Sequence, residues 1–380
     1  MGDTQRHTLA VFIGRFQPFH CGHRAVLHDL TEEVDSVLML VGSAYRPRSW
    51  KNPFLFEERA QFIRSGAHDL DIEIDILPLV DTLYNDRSWA ANVRTAVTAT
   101  CRARGLSPDS VDIVLTGFEK DKSSRYLSWF PEWTMRPAAP ATHEDRIINA
   151  TDFREAVFGE FEYDETDLAN IFGTPAVDNF IEWEKSNSAA ADAVAREGAY
   201  MRAYRAKTRA AEEVFGYPIP INAADAVVVQ SGHILLVERG TEPGIGTLAL
   251  PGGHLEAGEM ALDAAVRECR EETRLDIPKG VMIGRMRERR VFDHPERSER
   301  GWVRTEAFYF ELQDRSELER VKGGDDAKKA FWVPISEITP DRMFEDHFDI
   351  LQSFIPDVAT SYTSILMAHA GQIGRNGRAV

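Results

Sequence analysis

Long apolar runs, cysteine and net positive charge are what this sequence has least of. The longest apolar stretch, near "SVLMLVG" (36–42), is too short to span a bilayer, and "MGDTQRHTLAVFIGRF" (1–16) has no segment long enough for a signal peptide. Gly2 follows the initiator, but the sixth residue is Arg6 rather than Ser or Thr, so an N-myristoyl signal is unsupported. The expectation is a cytoplasmic protein without a membrane partner. Cys21, Cys101 and Cys269 are odd in number and far apart, which offers neither a disulfide framework nor a zinc spacing and fits a reducing compartment. Against 61 Asp and Glu stand 44 Lys and Arg, a formal net charge of −17. That balance excludes a general nucleic-acid or anionic-membrane binder but leaves room for a small anion in a local basic pocket.

What is present is enough for two cores. The 380 residues exceed one ordinary domain, and 43% hydrophobic with 28% charged residues is normal for a globular protein. In the first half, apolar runs "TLAVFIG", "SVLMLVGSA", "DIEIDILPLV" and "VDIVLTG" alternate with helical segments at 24–33, 56–65 and 89–104. Strand–helix alternation implies an α/β fold with a doubly wound parallel sheet, whose ligands bind beyond the carboxyl ends of the strands. Residues 186–215, rich in Ala, Arg and Glu, read as an inter-domain helix. "DAVVVQSGHILLVER" then reads as a hairpin around Ser-Gly, followed by strands at "VMIGRMRERRVF", "RTEAFYFELQ" and "AFWVPI". The expected domains are 1–185, a linker at 186–216, 217–365, and a frayed tail at 366–380.

"GRFQPFHCGH" (14–23) sits between the first strand and the first helix. Such a loop binds phosphate readily, because the first helical N–H groups are unsatisfied and the dipole favours an anion. Gly22 allows close backbone approach, His20 and His23 supply hydrogen bonds, and Arg15 supplies a bidentate charge. The segment resembles the first signature of the H-x-G-H nucleotidyltransferase superfamily, nearest its nicotinamide-mononucleotide adenylyltransferase branch. Further segments in order resemble that branch: "GSAYRPRSWKNPFLFEER" (42–59), "GFEKDKSSRYLSWFPEW" (117–133) and "INATDFR" (148–154). The resemblance runs roughly from Leu9 to Trp183. It implies a Rossmann-like nucleotidyltransferase domain that uses ATP, with Gly14, Phe16, Gly22, Lys120, Asn149, Thr151 and Arg154 around the nucleotide and Arg15, His20 and His23 as catalytic groups. Asn149 stands where the family usually has Ser, and Thr151 also suits a helix N-cap. "YNDRSWAANV" (84–93) resembles the nicotinamide-recognising segment: Asn85 for the carboxamide and Trp89 for stacking. Trp89 equally fits a packed core position.

The second constellation is denser. From Gly253 the chain reads five residues, Glu259, seven residues, then Arg267-Glu268-Cys269-Arg270-Glu271-Glu272. Residues 260–273 have helix formers and an apolar face, so Glu268, Glu271 and Glu272 share a helix face. Clustered carboxylates suit a hard divalent cation, Mg²⁺ or alternatively Mn²⁺, and a diphosphate completes its coordination. Glu259 and Arg267 more readily brace the loop and helix as an ion pair. The pattern resembles the Nudix box, and it implies an α/β/α sandwich with a mixed sheet. Glu268 and Glu272 are then catalytic, and the metal ligands are Glu268, Glu271 and Glu272. Arg274 replaces the final Gly of the box, which implies either a cost of about 1 kcal/mol or a different helix end. "GGDDAKKAFWVPISEI" (323–338) resembles the segment that carries a further ligand or base, Asp325 or Asp326, although turn residues fit there too. "FDHPERSERGW" (292–302) is polar and charged and suits a substrate cover.

Together the resemblances imply a bifunctional enzyme of NAD metabolism. One reaction joins ATP and nicotinamide mononucleotide into NAD, and the other hydrolyses ADP-ribose. Rival readings are nicotinate mononucleotide or another phosphate acceptor, NADH or a sugar nucleotide, and a Nudix domain that only senses ADP-ribose. Nucleic acid is not an expected partner, and a homo-oligomer is left open.

Overall fold

The computed structural model describes residues 6–118, 122–159, 163–324, 327–358, 362–369, 371 and 373; Lys120, Asp325 and Asp326 lie outside them. The chain forms two compact units, one of residues 1–48, 52–195 and 360–380, the other of 49–51 and 196–359. This differs from the expected division. The units part within a helix rather than around it, and the described residues after Val358 group with the first unit; most of the expected tail at 366–380 lies outside the described residues.

The first unit holds β1 (His7–Gly14), α1 (Cys21–Leu30), β2 (Ser36–Val41), α2 (Phe56–Gly66), β3 (Glu73–Pro78), α3 (Asp86–Ala103), β4 (Val111–Gly117) and β5 (Thr134–Pro137). The five strands are all parallel in the order β3-β2-β1-β4-β5. Every residue of β2 is buried, the signature of a parallel strand covered on both faces. Leu9, Val11, Ile13, Leu38, Leu40 and Leu77 meet Val93 and Val97 of α3 in one core. Strand order reverses between β1 and β4, the switch point where α/β sheets open a crevice. A short hairpin, β6 (Thr142–His143) and β7 (Arg146–Ile147), leads into α4 (Ala150–Val157), α5 (Glu165–Phe172), α6 (Thr174–Ser186) and the long α7 (Ser188–Phe215).

The second unit holds β8 (Ile221–Gln230), β9 (His233–Arg239), β10 (Leu248–Ala249), β11 (Gly252–His254), α8 (Ala261–Thr273), α9 (Lys279–Gly284), β12 (Met286–Phe292), β13 (Val303–Glu311), β14 (Ala327–Pro334) and α10 (His347–Phe354). Its sheet is mixed: β10-β9-β8-β13-β12, with β11 on β8 and β14 on β9. β8 and β13 run parallel and the other pairs antiparallel. The β8–β9 turn is Ser231-Gly232, both at positive φ, as the sequence indicated. The expected strand over "VMIGRMRERRVF" is a helix for its first part, and only Met286–Phe292 pairs with β13. Ala264, Ala265, Val266 and Cys269 of α8 pack on β8 and β13 through Ala226, Val228 and Phe308. The last helix, α11 (Tyr362–His369), returns to the first unit, where the Tyr362 hydroxyl donates to the Pro78 carbonyl at 2.7 Å. Among the described residues no helix is long and apolar enough to cross a membrane.

Candidate active sites

The first site lies where β1 runs into α1. His20 is the N-cap of α1, and its Nδ1 accepts from the Gly22 N–H at 3.2 Å. The His20 N–H donates to His23 Nδ1, also at 3.2 Å. Both Nδ1 atoms therefore act as acceptors, so a neutral ring in either case carries its proton on Nε2, away from the backbone. The two rings are 3.8 Å apart. Enclosure and the neighbouring His20 hold His23 well below the usual imidazole range, so it is a neutral donor. A Cβ at position 22 would lie 3.1 Å from the His20 ring, which leaves glycine as the residue that fits without pressing on it.

Two loops converge here, and one buried guanidinium fixes them. Arg59 of α2 donates to the carbonyls of Arg15 and Gly42 at 2.7 Å each and of Ser43 at 3.3 Å. Burial pulls its pKa down to about 10, with Asp81 opposing. Gln17 makes two bonds with the Phe54 backbone, 2.9 and 3.0 Å. Phe16, Ser43 and Tyr45 all hold positive φ, a concentration of strain typical of a binding site. Phe16 is buried edge-on to Phe12 and His23, and Gly14 ends β1 beside it. One terminal nitrogen of Arg15 is buried without an acceptor among the described residues. Sequence reasoning named Phe16 but missed Arg59, Ser43 and Tyr45. Arg59 closed a quoted segment, but nothing marks positive φ at Phe, Ser or Tyr.

Arg154 reaches the same loop, donating to the Gln17 carbonyl at 2.9 Å and to Thr151 Oγ1 at 3.2 Å. The N-cap of α4 is Asn149, not Thr151: Asn149 Oδ1 accepts from the Asp152 N–H at 3.0 Å. The Ser-to-Asn change thus keeps a good cap while committing that side chain to the helix. Asn85 likewise caps α3, its Oδ1 accepting from Ser88 N–H at 3.0 Å. Trp89 is half-buried, edge-on to Tyr126 at 5.3 Å and Trp129 at 5.7 Å.

The second site is built on α8. Glu272 accepts from the Gly252 N–H at 3.1 Å. Glu268 packs so closely on Gly253 that a Cβ there would lie 2.5 Å from its carboxylate. Arg267 fans across the acidic face, bonding both Glu259 oxygens at 2.9 Å, Glu268 at 2.9 Å and Glu271 at 3.0 Å. The expected Glu259–Arg267 brace is present and extends to two of the three clustered glutamates. Arg274 takes the left-handed conformation that the missing glycine would have taken, φ 52°, so the helix ends where a glycine would have ended it. The last carbonyls of α8 accept from Lys322 and Gly324 N–H at 2.8 Å each, which docks the segment leading to Asp325 on the helix end.

Among the described residues no three His, Cys, Asp or Glu side chains stand gathered as a ready ion site. The donor chemistry nevertheless fits a divalent cation. Burial, then Glu268 and Asp225, push Glu272 up to about 8 against the help of the Gly252 N–H. Oxygen donors that resist their own charge are what a hard cation relieves. Asp225, 5% exposed on β8 with Thr305 at 2.6 Å, was not visible as part of this cluster from sequence.

A parallel sheet ending in a paired-histidine loop, and a mixed sheet bearing a glutamate helix behind a Gly-Gly strand, define a nucleotidyltransferase joined to a Nudix-type hydrolase. Residues 11–103 match the cytidylyltransferase-like family and residues 220–354 the NUDIX domain. The chain is 37% identical over 149 residues to the nicotinamide/nicotinic acid mononucleotide adenylyltransferase of Acinetobacter baylyi, covering 39% of this chain and 74% of that one. It is 35% identical over 140 residues to the ADP-ribose pyrophosphatase of Methanocaldococcus jannaschii, covering 37% and 75%. The crystal structure of a bifunctional NMN adenylyltransferase/ADP ribose pyrophosphatase from Francisella tularensis superposes with a TM-score of 0.80 at 28% identity, over 93% of this chain and 100% of that one. The chain belongs to the nicotinamide-mononucleotide adenylyltransferase family through its first unit and to the Nudix family through its second.

Proposed function

We propose that the protein is a bifunctional enzyme: its first unit transfers the adenylyl group of ATP to nicotinamide mononucleotide, and its second hydrolyses ADP-ribose to AMP and ribose 5-phosphate. The observation that carries the reading is the His20–His23 pair, two rings 3.8 Å apart whose Nδ1 atoms both accept from backbone N–H groups, at the N-terminus of α1 and at the sheet's switch point.

In the first reaction an oxygen of the mononucleotide's 5′-phosphate attacks the α-phosphorus of ATP. The new O–P bond forms as the bond to the β-phosphate oxygen breaks, and pyrophosphate leaves. His20 and His23 donate from Nε2 to the phosphate oxygens, Arg15 and Arg154 add charge, and the α1 N-terminus adds its dipole. The loops are held rigid by Arg59 and Gln17, so little reorganisation is left for the reaction itself. Asn85 has its oxygen committed to the α3 cap, so only its Nδ2 donor can face the pyridine ring. A lone donor meets a carboxylate oxygen as well as a carboxamide oxygen, so nicotinate mononucleotide belongs in the same assay.

In the second unit Glu268, Glu271 and Glu272 would hold a divalent cation, Mg²⁺ by our reading, that activates water and neutralises the diphosphate. A Francisella structure similar to this chain is described as a complex with AMP and a manganese ion. Arg267 keeps two of the glutamates aligned in the meantime. The three free cysteines fit a cytoplasmic enzyme. Incubation with ATP, each mononucleotide and Mg²⁺, and separately with ADP-ribose, tests both halves. Formation of the dinucleotide and of AMP is expected; no dinucleotide from either mononucleotide would overturn the first assignment.

A further inference from the structure

The substrate side of the hydrolase site has a set of donors that neither family motif contains. The part of α7 in the second unit presents Arg196, Tyr200 and Tyr204, spaced four apart on one helix face. Arg205 pins this stretch to the loop before β13, its Nε donating to the Glu299 carbonyl at 2.7 Å and its terminal nitrogen to the Glu299 carboxylate at 2.6 Å. That loop is "FDHPERSERGW", and it is anchored twice. Arg297 and Asp346 form a buried two-bond pair at 2.9 Å each. Ser298 and Arg300 bond Glu345 at 2.7 and 3.1 Å. Glu345 is itself held at φ 40°, a strained conformation of the kind that clusters at binding sites.

The anchoring sets the Arg300 guanidinium 5.7 Å from the Phe344 ring, and Arg239, from the end of β9, lies 4.1 Å from the same ring. Two like charges around one ring repel. A purely structural cation–π contact needs only one of them. Arg239 bonds the Pro243 carbonyl through Nε at 2.7 Å, and among the described residues no acceptor meets its two terminal nitrogens. The phenol oxygens of Tyr200 and Tyr204 also have no partner there, and their rings lie 5.9 Å apart. Tyr204 is within electrostatic reach of Arg300, and Arg239 of Tyr200 and of Glu272 on α8. Unpartnered guanidinium and phenol donors beside a carboxylate cluster match a ligand that joins negative charge to an aromatic face.

We propose that Arg239 and Arg300 bind the diphosphate oxygens of the hydrolase substrate and that Tyr200 and Tyr204 stack on its nucleobase, which makes the middle of α7 a wall of the hydrolase site. The proposal rests on the ADP-ribose reading of the second unit.

The test is steady-state ADP-ribose hydrolysis by the full chain, with melting temperature and adenylyl transfer measured on the same preparations. Arg239→Ala is expected to raise KM for ADP-ribose about tenfold or more, with Arg239→Lys in between, and to weaken inhibition by inorganic pyrophosphate. The double variant Tyr200→Leu/Tyr204→Leu is expected to raise KM about tenfold and to weaken inhibition by AMP, whereas Tyr200→Phe/Tyr204→Phe keeps both near the parent. Adenylyl transfer stays at the parental rate throughout. Turnover by the parent with KM and inhibition unchanged in every variant, whatever the melting temperature does, overturns the wall alone. No ADP-ribose turnover by the parent overturns the functional reading and the wall with it.

Discussion

His20 has two duties that substitution can separate. Its Nδ1 caps α1, and its Nε2 is the donor that the proposed reaction uses. His20→Ala should cost about 1 kcal/mol of stability for the lost cap and also about 10²–10³-fold in adenylyl transfer for the lost donor. His20→Asn restores a good cap, so it should recover the melting temperature while leaving the rate as low as in His20→Ala. Recovery of the rate by Asn would reduce His20 to a structural residue. Ring spacing in "GRFQPFHCGH" was legible in the sequence because H-x-G-H between an apolar run and a helical segment has few other uses. Its support was not. Arg59 acts through three backbone carbonyls, and backbone acceptors leave no trace in residue type. Thr151 was the expected cap of α4 and Asn149 is the actual one, a choice that depends on where the hairpin before α4 delivers the chain.

α7 and the loop before β13 carry the two element-level expectations. The Arg297–Asp346 pair is nearly sealed from solvent, 3% and 1% exposed. Removing one partner strands a buried charge, so Asp346→Asn should destabilise the second unit by about 3–5 kcal/mol in chemical denaturation, far beyond an exposed pair such as Arg287–Glu311. Glu197 of α7 gives a pH effect with a definite sign. Burial raises it from 4.5 to about 7, reinforced by Glu242, Glu345 and Glu299 and opposed by the Trp50 N–H that it accepts at 2.7 Å. Between those two values the folded chain keeps a proton that the unfolded chain has released, so stability falls as pH rises and levels off above the folded value. Glu197→Gln keeps the acceptor and removes the titration. Its unfolding free energy in chemical denaturation should match the parent near pH 4 and exceed it at pH 8, by a margin on the order of 1–3 kcal/mol. An equal difference at both values would assign the effect to packing. Helix α8 could be read from sequence because its spacing and core face agree, even though its caps, Met260 and Arg274, are poor ones. The stretch 279–292 could not, because its apolar start supports helix and strand alike and only the pairing of β12 with β13 decides.

The order of the chain and the composition of the units disagree at the largest scale. Sequence reasoning divides a chain into consecutive blocks, so residues after the hydrolase were assigned to it or to a tail. A short apolar helix carries no mark of which core it will cover. In the structure α11 closes the first unit: Leu366 and Tyr362 are buried in the same core as Leu77, Leu79, Val93 and Val97, and His369 lies edge-on to Phe56 at 5.3 Å. The first unit is therefore incomplete until the whole second unit has been synthesised. Leu366→Ala removes a side chain that is 4% exposed, and the loss of a buried leucine costs about 2–4 kcal/mol. That cost should fall on the unit that buries it, although the residue lies beyond the hydrolase in sequence. After graded heating, the variant should lose adenylyl transfer at a lower temperature than the parent while ADP-ribose hydrolysis is inactivated at the parental temperature. Earlier loss of hydrolysis instead would return α11 to the second unit, as chain order alone suggests.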